Sequence, residues 1–151
     1  MKVLFLCTGN SCRSQMAEGW ARTLAKEISP QLDLKCSSAG LEAHGLNPHA
    51  VAIMQEFGVD ISRQYSTVLS QQQFDEAQVI VSVCSHADAN CPVIPHGKRK
   101  IFLPFDDPAG VSGTEAEITE CFRHSCLEIK AGVSNLLLSL SDSASHSESS
   151  I

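Results

Sequence analysis

A thiol and a guanidinium frame the stretch Cys7-Thr8-Gly9-Asn10-Ser11-Cys12-Arg13. The apolar run Val3-Leu4-Phe5-Leu6 leads into it, and a helix pattern follows from Ser14. This order suits a loop that grips a tetrahedral oxyanion and attacks it. Gly9 and Asn10 tolerate unusual backbone angles, so successive N–H groups from Thr8 to Ser14 can point inward as an anion nest. The helix that starts there adds the positive end of its dipole. Arg13 can hold two oxygens through its planar fork. Together these effects are expected to favour a Cys7 thiolate, with a pKa below the free value of about 8.5. Cys7 is therefore the candidate nucleophile. Asn10 is expected to fix the loop from inside with its amide. The Ser14 hydroxyl is placed either to bond the Cys7 sulfur or to cap the helix. Cys12 offers its backbone N–H, with its sulfur as a small filler.

Asp107 stands before Pro108, which biases it toward extended backbone and suits a side chain projecting from a loop. Its neighbour Asp106 then faces the other way. Seven cysteines are many for a chain of 151 residues. A reducing compartment disfavours structural disulfides and leaves metal binding or redox catalysis open. The segment from Cys84 through His86 to Cys91 holds two thiols and an imidazole, but no C-x2-C pair occurs anywhere. That spacing disfavours a structural zinc site, and no metal is expected. Cys36, Cys121 and Cys126 read as packing residues.

The elements that must position these groups alternate between strand and helix. Lys2 to Leu6 reads as a buried strand. Ser14 to Ile28 reads as a helix, with Met16, Trp20, Leu24 and Ile28 every fourth residue. Leu32 to Ser37 reads as a second strand, running into the turn at Ala39-Gly40. Asn47-Pro48 is a helix start and Gly58 a helix end. Val79 to Val83 is β-branched and nearly continuous, as a strand covered on both faces should be. A polar loop is expected from Ser85 to Gly97, then a short strand from Lys100 to Leu103. Thr114-Glu115-Ala116-Glu117 matches a capping box for a last helix that carries Ile118, Phe122, Cys126, Ile129, Val133, Leu136 and Leu140. Seven of the thirteen residues from Ser139 to Ile151 are serine. The expected organisation is one catalytic domain over residues 1–140 and a disordered tail over 141–151.

This pattern predicts an α/β fold: a four-stranded parallel sheet with right-handed crossovers and helices on both faces. Ligands in such sheets bind at the carboxyl ends of the strands, which puts Cys7 and Cys84 on one rim. No apolar run approaches a membrane span or the core of a signal peptide. A cytoplasmic protein without a membrane partner is expected. The net charge of −6 argues against a nucleic-acid partner, and Lys98-Arg99-Lys100 reads as a solvated turn.

The run from Cys7 to Ser14 resembles the phosphate-binding loop of the low-molecular-weight protein tyrosine phosphatase superfamily. Its continuation Gln15-Met16-Ala17-Glu18-Gly19-Trp20 is closer to the thioredoxin-coupled arsenate reductases on that fold. Ser38-Ala39-Gly40, Cys84 through Cys91-Pro92, and Phe105-Asp106-Asp107-Pro108-Ala109 agree with the same group, in collinear order over roughly residues 1–140.

The resemblance implies a relay. Cys7 attacks arsenate, Asp107 protonates the leaving oxygen, Cys84 attacks Cys7 to release arsenite, and Cys91 attacks Cys84. The Cys84–Cys91 disulfide is left for thioredoxin, with no bound cofactor and a monomer expected. If residues 84–91 were helical, the two thiols would stand about 10 Å apart. A disulfide needs Cα atoms about 4.4–6.8 Å apart, so the segment must rearrange on oxidation. Phosphatases of this fold place an aromatic after the Asp-Pro. Here Ala109 and Gly110 follow, and Leu41-Glu42-Ala43-His44 supplies no large aromatic wall, which favours a small inorganic oxyanion. The alternatives are a low-molecular-weight phosphatase, a non-catalytic thiol redox sensor and a module that binds a phosphorylated ligand. Some members of the superfamily bind potassium through residues that match Asn10, Glu18 and Ser38. The fourth element reads Tyr65-Ser66-Thr67 and lacks its aspartate, so a tight site is not expected.

Overall fold

A computed structural model describes the backbone of residues 1–149 and the side chains of 1–143. Four strands form one parallel sheet: β1 (Lys2–Cys7), β2 (Lys35–Gly40), β3 (Val79–Ser82) and β4 (Arg99–Phe102). Their spatial order is β2-β1-β3-β4. β1 and β3 lie in the centre, and both are buried along nearly their whole length. Their side chains alternate between two cores. Val3, Phe5, Val79 and Val81 join the larger one, whereas Leu4 and Ile80 join a smaller one with Ala39, Phe74 and Ala77.

The helices are α1 (Arg13–Ile28), α2 (Pro48–Glu56), α3 (Gln71–Glu76), α4 (Ser85–Ala89) and α5 (Glu115–Ser149). α1 turns Met16, Trp20 and Leu24 into the larger core, where α5 meets it with Phe122, Cys126, Ile129, Val133 and Leu137. α3 covers the smaller core through Phe74. The sheet is thus covered on both faces, as the sequence pattern predicts.

The chain runs outward from β1 in opposite directions, to β2 on one side and through β3 to β4 on the other. In open α/β sheets such a reversal leaves a crevice at the carboxyl ends of the central strands, here β1 and β3, where ligands bind. Cys7 ends β1, and Cys84 follows β3 by two residues.

Several elements differ from the sequence reading. β2 starts at Lys35 because Pro30–Leu32 forms a 3-10 turn and Asp33 takes a left-handed backbone with φ 45°. The region expected to be loop from Ser85 begins as α4, and the Cys84 sulfur caps it by accepting the Ala87 N–H at 3.4 Å. α3 is an unpredicted helix, opened by a capping box between Ser70 and Gln73. The Ser-rich segment expected to be disordered continues α5 as far as Ser149, because each added residue extends a formed helix at little cost. Residues 150–151 of that expected tail lie outside the described residues. Lys98, Arg99 and Lys100 are not a free turn. Lys98 Nζ donates to the Asp75 and Ala77 carbonyls, Arg99 bonds Ser143, and Lys100 pairs with Asp88. Among the described residues, no helix is long and apolar enough to cross a membrane.

Candidate active site

The loop between β1 and α1 turns its carbonyls outward. The Cys7, Thr8, Gly9 and Ser11 oxygens accept from the Leu41, Glu42, His44 and Asn47 N–H groups at 3.1, 2.8, 2.9 and 3.0 Å. The Asn10 oxygen accepts from Gln15 Nε2 at 3.1 Å. A peptide carbonyl and the next N–H point in opposite directions, so the N–H groups of residues 8–12 turn inward. These five residues cover part of the nest expected over residues 8–14.

Asn10 makes the turn possible. Its φ is 48°, a left-handed value that asparagine tolerates better than most residues. Its buried amide donates to Ser14 Oγ at 2.8 Å and Ser38 Oγ at 3.0 Å, and its oxygen accepts the Thr67 N–H at 2.9 Å. The loop is thus fixed from inside, as expected. Ser14 makes neither bond foreseen for it; its oxygen is the acceptor for Asn10, and the cap position of α1 has no side-chain bond. Gly9 is not left-handed. It is small because the His44 ring lies where a Cβ would stand, with Nδ1 2.5 Å away. Gly40 matters more: a Cβ there would lie 2.2 Å from the Glu42 oxygen and within 3 Å of the Thr8 oxygen and Asn10 nitrogen. The end of β2 can support the loop only without a side chain.

Arg13 opens α1 and leans across the cleft. Its NH1 donates to the Phe105 carbonyl at 3.1 Å, and NH2 lies 3.7 Å from Asp107 Oδ2. Its Nε is buried and has no hydrogen-bond partner among the described residues. Such a donor is costly unless something accepts from it, which is what an oxyanion does. Asp107 caps a 3-10 turn over Pro108–Gly110 by accepting the Ala109 N–H at 3.0 Å, and its Oδ1 lies 3.7 Å from Cys12 Sγ.

Cys84 also faces the loop, 3.3 Å from Thr8 Oγ1. Thr8, Arg13, Cys84, Phe105 and Asp107 line one cleft of about 510 Å³. Cys91 is not among its lining residues; it packs half-buried against the cores. Three of the five predicted catalytic side chains, Arg13, Cys84 and Asp107, line this cleft, Cys7 is buried at the end of β1, and Cys91 stands apart.

The charge distribution corrects one expectation. Burial pushes the Cys7 thiol above its ordinary value, and Arg13 only partly offsets this. Burial also opposes ionisation of Cys84, but the Thr8 hydroxyl, the Ala87 N–H and Arg13 outweigh it and hold Cys84 below the usual thiol range. Of the two thiols, Cys84 is the more readily ionised and Cys7 the less. Cys12 is pushed up to about 12 by burial and by the Asp107 charge, which fits a spectator sulfur.

Asn10, Glu18 and Ser38 do come together, but they do not fit a cation. Ser38 Oγ donates to Glu18 Oε1 at 2.7 Å, the Asn10 oxygen is occupied by donors, and Arg22 stands 3.7 Å from Glu18 Oε2. A guanidinium already supplies the positive charge there. Among the described residues, no group of three or more His, Cys, Asp or Glu could hold a metal ion.

Sequence reasoning missed the Phe105 carbonyl, the fully buried Gln15 and the Asp88 carboxylate that holds α4. A backbone oxygen has no signature in sequence. Gln15 lay on a helix face read only for its apolar residues.

A family model described as low molecular weight phosphotyrosine protein phosphatase matches residues 2–145. The chain belongs to this family. Within it, the chain is 47% identical over 121 residues to an arsenate reductase of Halalkalibacterium halodurans, covering 80% of this chain and 84% of that protein. It is 41% identical over 133 residues to an arsenate reductase of Staphylococcus aureus strain Newman, covering 88% and 93%. Among solved structures it is similar to an arsenate reductase in the phosphate binding state, with TM-score 0.68, 36% identity and coverage of 90% and 95%. A low molecular weight protein tyrosine phosphatase from T. tengcongensis shares the fold at TM-score 0.77 and 24% identity, with coverage of 91% and 97%. The family is one of enzymes, and in this chain Arg13 and Asp107 line one cleft.

Proposed function

We propose that the protein reduces arsenate to arsenite through Cys7, Cys84 and Cys91, and that thioredoxin reduces the resulting disulfide. The observation that supports this best is the Cys84 sulfur, which lies 3.3 Å from Thr8 Oγ1 in the oxyanion loop and is the more acidic of the two thiols. A phosphatase needs one thiol, an arginine and an acid, and has no use for a second thiolate in the cleft. The arsenate reductases among its relatives point the same way.

Arsenate binds the inward N–H groups of residues 8–12 and the free Nε of Arg13. The Cys7 proton passes to the Cys84 thiolate, and the Cys7 thiolate displaces an oxygen from arsenic. Asp107, which takes a proton from the bound hydrogen arsenate, returns it to that oxygen, which leaves as water. Cys84 then gives its proton to the Asp107 carboxylate and attacks the Cys7 sulfur. The electron pair of the sulfur–arsenic bond stays on arsenic, which leaves as arsenite. Cys91 attacks Cys84, its proton goes to Cys7, and Cys7 is released. The two electrons spent come back from the thioredoxin dithiol. In this reading the protein works as a cytoplasmic monomer.

The test is arsenate turnover with thioredoxin, thioredoxin reductase and NADPH. Cys91→Ala is expected to complete one turnover and then stop. Continued steady-state turnover by that variant would remove Cys91 from the relay, and turnover with glutaredoxin and glutathione alone would replace the partner.

A second activity has its own support. Cys7, Arg13 and Asp107 also form a phosphomonoesterase site, so slow hydrolysis of p-nitrophenyl phosphate is expected. Ala109 and Gly110 are exposed and offer a phenyl ring no stacking surface. No potassium ion is needed, given the spent ligands of Asn10 and Ser38. Exchanging potassium for sodium at constant ionic strength should leave the melting temperature and turnover unchanged.

A further inference from the structure

Gly132 stands in the middle of α5, far from either end of the helix. Its backbone φ is not among the positive values, so no turn or cap requires glycine there. Glycine is also the poorest helix former apart from proline. A residue that contradicts its own element points to a demand from outside the element. Here the demand is visible: a Cβ on Gly132 would lie 2.8 Å from Phe105 Cζ and 3.0 Å from Phe105 Cε1. The Phe105 ring occupies a notch in α5 that only glycine leaves open.

Phe105 is tied to the site by its backbone on both sides. Its N–H donates to the Val83 carbonyl at 3.0 Å, one residue before Cys84. Its carbonyl accepts from Arg13 NH1 at 3.1 Å. Two residues on, Asp107 reaches Arg13 and Cys12. The ring is flat and broad, so a side chain at position 132 shifts it and loads the backbone on either side of Phe105.

We infer that Gly132 is a positioning residue: its notch seats Phe105 and so sets the depth at which the Phe105 carbonyl meets Arg13 and Asp107 meets the oxyanion. The inference rests on the proposed oxyanion chemistry, though not on which oxyanion turns over. It acts through the far edge of the guanidinium. With NH1 held by Phe105, Nε is left without a partner and is free to donate to an anion.

The test compares Gly132→Ala, Phe105→Leu and the double variant. Leucine lacks the ring atoms that meet the new methyl group. Gly132→Ala should melt only slightly below the wild type, because the helix preference of alanine offsets part of the overpacking against Phe105. It should nonetheless bind inorganic phosphate about tenfold more weakly by calorimetry and lose about tenfold or more in kcat, since small misplacements cost that much. The acidic limb of its pH–rate profile should move, a change that mere loss of packing would not produce. The double variant should recover most of both losses, and it covers the case in which the single variant fails to fold. Wild-type phosphate affinity and kcat in Gly132→Ala would overturn the inference. A loss that Phe105→Leu does not repair would also overturn it. If the wild type binds phosphate but reduces no arsenate, the functional reading falls, while the phosphate comparison still decides the role of Gly132.

Discussion

At the residue level, the more acidic sulfur is not the one the loop motif suggests. Cys7 has the nest, but it is deeply buried and Arg13 leans toward Phe105 and Asp107. Cys84 is buried too, yet it is a helix cap with a hydroxyl and an N–H on its sulfur. Hydrogen bonds to an anion lower its pKa more surely than a charge held at a distance. Alkylation by iodoacetamide, mapped by peptide, should therefore persist to lower pH at Cys84 than at Cys7 in the ligand-free protein. Thr8→Val should abolish that difference by removing the hydroxyl. Labelling of Cys7 first at low pH would reverse the assignment. Cys12, with its pKa pushed to about 12, predicts a contrast. Cys12→Ser should keep turnover within a few-fold, whereas Cys7→Ser should lose it entirely. Gly40 is the most sterically constrained position in the site, because a Cβ there meets three backbone atoms. Gly40→Ala should lose about 3 kcal/mol of stability by denaturant unfolding, at the upper end for forced overpacking.

Among the elements, α4 is the one the chemistry must break. The five helical residues Ser85–Ala89 separate the cap Cys84 from Asn90, and seven residues of helix would span about 10 Å, beyond disulfide reach of Cys91. Asp88 anchors this helix: its Oδ1 accepts from Ser82 Oγ at 2.7 Å and pairs with Lys100 Nζ at 3.0 Å. The Ser82 hydroxyl, with Lys100, holds the Asp88 carboxyl below its ordinary value. A depressed folded pKa gives stability that is present above the unfolded value of about 3.9 and lost as pH falls through the folded one. The anchor should therefore hold throughout the neutral range and release only in strong acid. Asp88→Ala should speed formation of the Cys84–Cys91 disulfide a few-fold and make its reduction potential more negative, because the anchor favours the reduced helix. Backbone hydrogen exchange over residues 84–92 should rise on oxidation; identical exchange in the two redox states would refute the rearrangement. This helix was not legible in the sequence. Ser85, His86, Asp88 and Asn90 are polar, and the residue that starts α4 is a cysteine, which no capping rule anticipates. α3 was legible in principle, since Ser70 and Gln73 have the spacing of a capping box, but the exposed glutamines give it little apolar pattern.

Over the whole molecule, the strand order does what no single motif can. The parallel sheet with β1 and β3 at its centre brings Cys7 and Cys84 to one rim although 76 residues separate Cys84 from Thr8, whose hydroxyl it meets. That much follows from the β-branched run at Val79 and the apolar run at Val3, which the sequence shows plainly. Hidden from it are the contacts that depend on depth: the outward carbonyls of the loop, the seat of Phe105 on Gly132, and the guanidinium that displaces a cation at Glu18. Each depends on distances between elements, and residue types alone do not encode those. The inward N–H groups and the unpartnered Arg13 Nε also couple oxyanion binding to the stability of the entire fold. They come from β1, α1 and the loop between them, so the site exists only when the central sheet is formed. A ligand that binds only the folded state adds about 2.7 kcal/mol at one hundred times its dissociation constant. For a chain of this size, each kcal/mol raises the melting temperature by about 2–4 °C. Saturating inorganic phosphate should therefore raise the melting temperature by roughly 5–10 °C at that concentration. Arg13→Lys should lose most of the rise, because an ammonium cannot replace the fork that spans Phe105, Asp107 and the anion. Sulfate should act in the same way as phosphate, whereas chloride at equal ionic strength should not, since only a tetrahedral anion meets both the nest and Nε. An equal rise with chloride would show simple charge screening and would remove the nest from the argument.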